Sequence, residues 1–289
     1  MRAAFGFFKI LPLDVASGLG GFIFRNLGML IGATRKARKN LEIAFPGLSK
    51  GEQDKILLEM WDNLGRVMAE YPHLETIARK RTVVENQDII DQVVANKSGA
   101  ILVASHLANW EINGANLYTK CGVPLHLTYR ALNNPYADKI LHDARTLKGK
   151  LPAYAKSREG GRQILNTLKT HQILGMLIDQ KYNEGLAVPF FGKPAMSNPV
   201  YVQLAQKYKC PAIPVQAIRL KGAHFKIKVY PPLGLFDPDG KPFPVENVIA
   251  NTHMLLERWI RENPGQWLWL HRRWDSKGLK EGTHEAHSL

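Results

Sequence analysis

The sequence predicts an α/β fold: a mixed, mostly parallel central sheet flanked by helices, behind an apolar N-terminal helical segment. Three observations lead there. Short apolar runs such as GAILVA (99–104), QILGMLI (172–178) and PAIPVQAI (211–218) have the length of buried strands. Segments with helical periodicity separate them, and strands alternating with helices argue a parallel sheet. No long Gly/Ser or Pro linker, internal repeat or low-complexity tract interrupts the chain. Residues 35–289 therefore read as one catalytic-sized domain behind a segment covering 1–34.

The N-terminal segment comes first in order. It is rich in Phe, with Phe5, Phe7, Phe8, Phe22 and Phe24, but Lys9, Asp14 and Arg25 interrupt it. Its longest charge-free stretch is ten residues, Val15 to Phe24. A spanning helix needs about 20 apolar residues, and no cleavage site follows a clean apolar core. An interfacial segment fits better, with apolar rings in the bilayer and Arg35, Lys36, Arg38 and Lys39 at anionic headgroups on the cytoplasmic side. An ordinary core helix and a single span are the competing readings.

Residues 51–80 follow with Ile56, Leu57, Met60, Leu64, Val67 and Met68 near a 3.6 period, a helix that Ser49 and Glu52 can open as a capping box. Strands are expected at 99–104, 123–129, 172–178, 211–218 and 224–230. The last of these, HFKIKVY, alternates as a half-exposed strand does. Helices are expected at 160–170 and over Asn247–Asn263. Function in such sheets gathers at the carboxyl ends of the strands.

The 289 residues carry 39 Lys and Arg against 25 Asp and Glu, a formal charge of +14. The excess is local: residues 1–50 hold +6, 120–170 hold +7 and 193–230 hold +7, leaving the remainder at −6. Such fields recruit anions, whether nucleic acid, anionic lipid, phosphorylated substrate or an acidic protein. With 45% apolar and 22% charged residues the chain is neither disordered nor a multi-span transporter. Two cysteines, Cys121 and Cys210, make neither a disulfide framework nor a zinc module.

His106 stands two residues past the GAILVA strand, and Glu111 follows at spacing five. Roughly one such pair is expected by chance in a chain of this composition, so its setting must give it weight. On a continuous helix five residues turn through about 140°, and the side chains would not face each other. They meet if His106 lies in the loop and a helix starts at Asn109, a good N-cap, with Glu111 in the first turn. An imidazole at a strand end beside an orienting carboxylate is what a general base requires.

The sequence has no G-x-S-x-G, P-loop, G-x-G-x-x-G or H-E-x-x-H, and its histidines lack metal spacing. No cofactor or metal is indicated. Without a protein nucleophile, His106 would activate a substrate hydroxyl for direct transfer of an activated group. Tyr129-Arg130, Asp179-Gln180, VPFFGKPA (188–195) and the Trp-rich PGQWLWLHRRW (264–274) are further candidates. They suit, respectively, an oxyanion or phosphate contact, the strand edge beside His106, an acyl-chain or headgroup pocket, and a membrane interface or core. For each alone a purely structural role competes.

Taken as a set, NLEIAFPGLSKGE (40–52), Trp61-x-Asn63, SHLANWE (105–111), Tyr129-Arg130, IDQ (178–180), PFFG (189–192) and PGQWLWLHRRW resemble the bacterial lipid A biosynthesis acyltransferases over nearly the whole chain. The resemblance implies a glycerolipid-acyltransferase-like enzyme of the bacterial inner membrane, its catalytic domain on the cytoplasmic face. It implies an acyl donor on acyl carrier protein, and as acceptor a Kdo-bearing lipid A precursor with a free hydroxyl on a 3-hydroxyacyl chain. The family's signature pair falls on His106 as base and Glu111 as its orienting carboxylate. Arg130, for a phosphate or oxyanion contact, Asp179, for positioning His106 or the substrate, and Gln180 and Asn109 are supporting or substrate-binding residues.

A phospholipid acyltransferase of this type is expected to carry H-x-x-x-x-D and a later E-G-T element, where this chain has Glu111 and Asp179-Gln180. A nucleic-acid-binding protein would need aromatic and basic residues interleaved on a recognisable module, and none is present. A membrane-surface scaffold would make His106 dispensable.

Overall fold

The computed structural model describes residues 2–129, 131 and 134–274. The chain begins with helices α1 (Arg2–Ile10), α2 (Leu13–Gly28), α3 (Ala33–Ala44), α4 (Lys50–Glu70) and α5 (Leu74–Lys80). There follow β1 (Thr82–Glu85), α6 (Gln87–Asn96), β2 (Ala100–Ala104), α7 (Ile112–Cys121), β3 (Leu125–Tyr129) and α8 (Pro135–Arg145). Next come β4 (Ala153–Ala155), α9 (Arg158–Lys169), β5 (Ile173–Leu177), the hairpin β6 (Leu186–Phe190) and β7 (Lys193–Ser197), and α10 (Val200–Tyr208). The antiparallel pair β8 (Ala212–Arg219) and β9 (Phe225–Val229) and the closing helix α11 (Val245–Glu262) complete the order.

Among the described residues seven strands form one sheet in the order β1-β9-β8-β2-β5-β3-β4. Strands β2, β3, β4, β5 and β8 run parallel, and β9 with β1 runs the other way. The mostly parallel sheet is the one expected. Every residue of β2 is buried, because helices cover both faces, and β9 alternates buried with half-buried. One face carries Leu102, Ile173, Ile213 and Ile227 under α5, α6 and α7. The other carries Ile101, Val103, Leu174 and Met176 under α10 and α11.

Pairing of β3 with β5 ends at Leu127↔Gly175, two residues before either strand ends. Pairing of β2 with β5 continues to Ala104↔Leu177. The sheet therefore forks at its carboxyl edge, between Thr128-Tyr129 and Met176-Leu177.

Ser49 caps α4 as expected, with Glu52 completing the reciprocal pair. The single helix expected over 51–80 is instead α4 and α5, separated by a 3-10 turn at Tyr71–His73. Pro72 is the cause: it lacks the N–H of an α-helical ladder, and its ring collides with the preceding turn. The break turns Tyr71 into the interior.

The N-terminal helices have two unlike faces. Gly20 of α2 and Gly65 of α4 bring their backbones into contact, so that a Cβ on either would overlap the other's carbonyl oxygen. Ser17 Oγ donates to Glu70 Oε1 at 2.7 Å. Elsewhere these helices and the turn after them expose Ile10, Val15, Phe22, Leu27 and Leu30. Among the described residues no single helix is long and apolar enough to cross a membrane, and α2 meets α3 at 87°. Of the four cations after the segment, Arg35, Lys36 and Lys39 are exposed and Arg38 pairs with Asp54.

For two aromatic segments the structure chooses the structural role among the readings left open. Phe190 and Phe191 end the β6–β7 hairpin and lie in the core against Trp274, rather than lining a substrate pocket. The hairpin turn puts both Phe191 and Gly192 at positive φ, 51° and 70°, as a twist-matched two-residue turn requires. Trp267, Trp269 and Trp274 are buried core residues, not a membrane interface.

Candidate active site

Strands β2 and β5 are neighbours and parallel, so the residues just past their carboxyl ends share one edge of the sheet. His106 follows β2, and Asp179 and Gln180 follow β5. His106 Nδ1 lies 2.8 Å from Asp179 Oδ1, and the His106 backbone N–H donates to Asp179 Oδ2 at 3.0 Å. Trp267 Nε1 donates to the same Oδ2 at 2.7 Å. Burial alone would raise the Asp179 carboxyl. The facing His106 and the two N–H donors outweigh it and hold the carboxyl below its usual range.

An ionised carboxylate against Nδ1 favours the tautomer with its proton there, which makes Nε2 an acceptor. In that tautomer the Gln180 amide donates from its Nε2 to His106 Nε2 at 3.2 Å. Both His106 and Gln180 line a cavity of about 760 Å³. The Trp110 ring stands edge-on to the imidazole at 5.0 Å between centroids.

Glu111 lies in the same cavity wall but is turned elsewhere. It accepts from Tyr71 OH at 2.7 Å, Trp110 Nε1 at 3.0 Å, and Arg145 Nε and Nη2 at 2.8 and 2.7 Å. Arg145 Nη2 also donates to Tyr71 OH at 3.2 Å. Burial works to raise the Glu111 carboxyl, and the Arg145 guanidinium reverses it to a net depression. The expectation that Glu111 orients His106 is thus corrected: the carboxylate on the imidazole is Asp179, and Glu111 is half of a buried ion pair with Arg145.

The local backbone explains this. The helix expected from Asn109 begins at Ile112, and Asn109 Oδ1 accepts the Glu111 N–H at 3.2 Å ahead of it. Ala108 sits in the left-handed region at φ 51°. Its N–H donates to Gln266 O, and its own carbonyl accepts from Asn63 Nδ2 at 3.0 Å. That constraint turns the chain between His106 and Glu111, so their sequence spacing never becomes one helical face. Asn109 is fully buried and donates from Nδ2 to Glu70 Oε2 at 2.8 Å. Glu70 also takes Arg219 Nη1 and Nη2 at 2.5 and 3.0 Å, tying α4, β8 and the His106 loop together. Asn109 is therefore a loop-setting residue. Arg130 lies outside the described residues.

Three participants escaped the sequence reading. Tyr71 was hidden in a helical pattern, and only Pro72 hinted at a break there. Arg145 lies 34 residues from Glu111, at the end of an exposed-looking helix. Trp267 was visible only as one tryptophan of three. Among the described residues no group of three or more His, Cys, Asp or Glu side chains could hold a metal ion.

This geometry sets an imidazole, fixed by a buried carboxylate, beside a cavity able to take an apolar chain. Residues 3–276 match the family model described as bacterial lipid A biosynthesis acyltransferase. The chain belongs to that family. It is an acyltransferase, and the family's activity is acyl transfer in lipid A biosynthesis. Among known proteins, it is 26% identical over 258 residues to the lipid A biosynthesis palmitoleoyltransferase of Escherichia coli, covering 86% of this chain and 80% of that one. It is 25% identical over 251 residues to the lipid A biosynthesis lauroyltransferase of the same organism, covering 83% and 78%. The phosphatidylinositol mannoside acyltransferase of Mycobacterium tuberculosis is 22% identical over 254 residues, covering 84% and 78%.

Proposed function

We propose that this acyltransferase moves a fatty acyl chain from acyl carrier protein to the free hydroxyl of a 3-hydroxyacyl chain on a Kdo-bearing lipid A precursor, a late secondary acylation. The observation that carries the reading is the His106–Asp179 pair opening onto the 760 Å³ cavity. From His106 the cavity runs across one sheet face beneath α7, past Leu102, Leu117, Val215, Ile227 and Val229. From β2 to β1 that face spans three strand spacings, about 14 Å. This arm suits the donor's acyl chain.

In the reaction His106 Nε2 takes the acceptor hydroxyl proton as the alkoxide oxygen attacks the thioester carbonyl. The tetrahedral adduct then expels the carrier thiolate, which takes that proton back from the imidazolium. Asp179 holds the imidazole in the right tautomer and stabilises its charged form. Glu111, through Arg145 and Trp110, fixes the wall against which His106 stands. Arg130, which follows Tyr129 in the sequence, is the candidate for a phosphate or oxyanion contact. No enzyme-bound acyl intermediate is needed.

The exposed apolar face of α1 and α2, with the cations of α3, supports attachment at the cytoplasmic face of the inner membrane. The likeness to phosphatidylinositol mannoside acyltransferases favours one second reading, transfer to another membrane glycolipid. Mass spectrometry of the parent and His106→Ala proteins, offered mixed acyl carrier protein donors and the lipid A precursor, tests the proposal. A gain of one acyl chain, lost in the variant, is expected. No gain with the precursor, and gain with a phosphatidylinositol glycolipid, would replace the acceptor.

A further inference from the structure

The cavity beside His106 is lined from both faces of the sheet, which divides its wall into two arms. Side chains alternate along each strand, so the cavity-lining residues sort by face. Leu102, Leu125 and Val215 belong to the face beneath α7. Thr128, Tyr154 and Met176 line the same cavity from the opposite face: Thr128 and Tyr154 are paired across β3 and β4, and Met176 packs with the α10–α11 core. The two sets connect where the sheet forks past Leu127↔Gly175. His106 and Gln180, just past the ends of β2 and β5, line the same cavity.

The second arm is completed by Gly161 and Ile164 of α9 and Val200 of α10. Its wall is set, since Tyr154 OH is held by His126 Nδ1 at 2.6 Å and Thr167 Oγ1 at 3.2 Å. Its rim is polar: Asn198, Tyr182 and Lys156 line it, and Lys156 Nζ stands 5.1 Å over the Tyr182 ring. Lys156 on this rim is exposed, as is Arg158 two residues further on.

We propose that this second arm receives the hydroxyacyl chain of the acceptor, while the arm beneath α7 receives the donor chain, so that the two chains meet at His106 from opposite faces of the sheet. The assignment rests on the proposed acyl transfer to a hydroxyacyl lipid. That reaction requires two chains at one base, and a single slot would force them to compete. The acceptor chain arrives attached to a large anionic headgroup that must stay outside. It therefore needs the arm with the polar, cationic rim, whereas the donor needs length and apolarity.

Gly161 gives a clean probe. A Cβ built on it meets nothing within 4 Å, it lines the second arm, and it lies inside helix α9, where larger residues are tolerated. Gly161→Leu, with Gly161→Ala as a milder step, would fill the second arm. Leu117→Phe, with Ile227→Phe as a substitute if it unfolds, would shorten the first.

Transfer kinetics would be measured on the full chain in detergent micelles, with a ladder of saturated acyl carrier protein donors and the lipid A precursor as acceptor. Gly161→Leu is expected to raise the acceptor KM about tenfold at an unmoved donor chain-length optimum. Leu117→Phe is expected to move that optimum to shorter chains with the acceptor KM little changed. If Gly161→Leu moves the donor optimum instead, or changes neither parameter, the arm assignment is overturned. If the parent chain transfers no acyl group to any hydroxyacyl lipid, the proposed function itself falls, and the assignment with it.

Discussion

Asp179, not the signature Glu111, holds the imidazole of His106: Nδ1 and Oδ1 are 2.8 Å apart, and the same carboxylate takes the His106 backbone N–H. The imidazole and the carboxylate that holds it come from the ends of two adjacent parallel strands. General-base catalysis by histidine contributes about 10²–10⁴-fold. His106→Ala is expected to lose about 10³-fold in transfer rate. Asp179→Asn, which permits the wrong tautomer, is expected to lose a comparable amount while the acceptor KM stays near the parent value. An Asp179→Asn protein with more than a tenth of parent activity, measured by steady-state transfer, would remove the orienting role.

Glu111→Gln should behave differently from Asp179→Asn. It leaves the imidazole tautomer alone and unbalances Arg145, so its main effect falls on stability and on the cavity wall. Removing one partner of a buried ion pair costs about 3–5 kcal/mol. Arg145→Met is expected to destabilise by about that amount, and the double change Glu111→Gln with Arg145→Met to recover a measurable part of it. Denaturant midpoints of the two single variants and the double give the coupling. Strict additivity would show that the pair, bonded at 2.7 and 2.8 Å, is energetically inert.

Stability should fall steeply in acid. The carboxyls of Glu111 and Asp179 are both held below their ordinary range in the folded chain. A depressed folded value means that the unfolded state binds the proton more readily. Their contribution is then present above the unfolded value, about 4, and is lost as pH falls through the folded values. Thermal unfolding followed from neutral pH down to about 3 should show a shallower acid slope in Glu111→Gln than in the parent. Equal slopes would contradict the linkage.

Gly65→Ala tests the docking of α2 on α4. Alanine favours helix, so propensity alone predicts a small gain. The new Cβ would overlap Gly20 O, and the two helices must part. A loss of about 1–3 kcal/mol is expected, read as a lowered melting temperature. A rise would show that the contact yields freely.

The exposed face of α2 and the turn that follows it make a membrane prediction. Replacing Phe22, Leu27 and Leu30 together by Ser removes three large exposed apolar side chains without touching the buried face. Co-sedimentation with anionic vesicles should weaken by at least about tenfold, given about 1.5–3 kcal/mol for each fully buried apolar side chain. Unchanged sedimentation would assign vesicle binding to another surface.

Sequence by itself picked out strands β2, β3, β5, β8 and β9 and helices α4, α9 and α11, because burial on both faces writes unbroken apolar runs and amphipathic faces write a 3.6 period. It also pointed to the candidate residues that the structure brings together: His106 and Asp179-Gln180 each follow an apolar run, and parallel neighbours bring such ends together. The order of the strands and the partner of the imidazole belong to the tertiary structure. Residues 106 and 111 are close in sequence, yet Ala108, held in the left-handed region by Asn63 and Gln266, separates their directions. Residues 106 and 179 are far apart in sequence, yet β2 and β5 pair in register. Likewise the phenylalanines of 190–191 and the tryptophans of 267–274 suit a membrane, a pocket or a core equally well by composition. What surrounds a side chain is a property of the packed whole, and no local spacing encodes it.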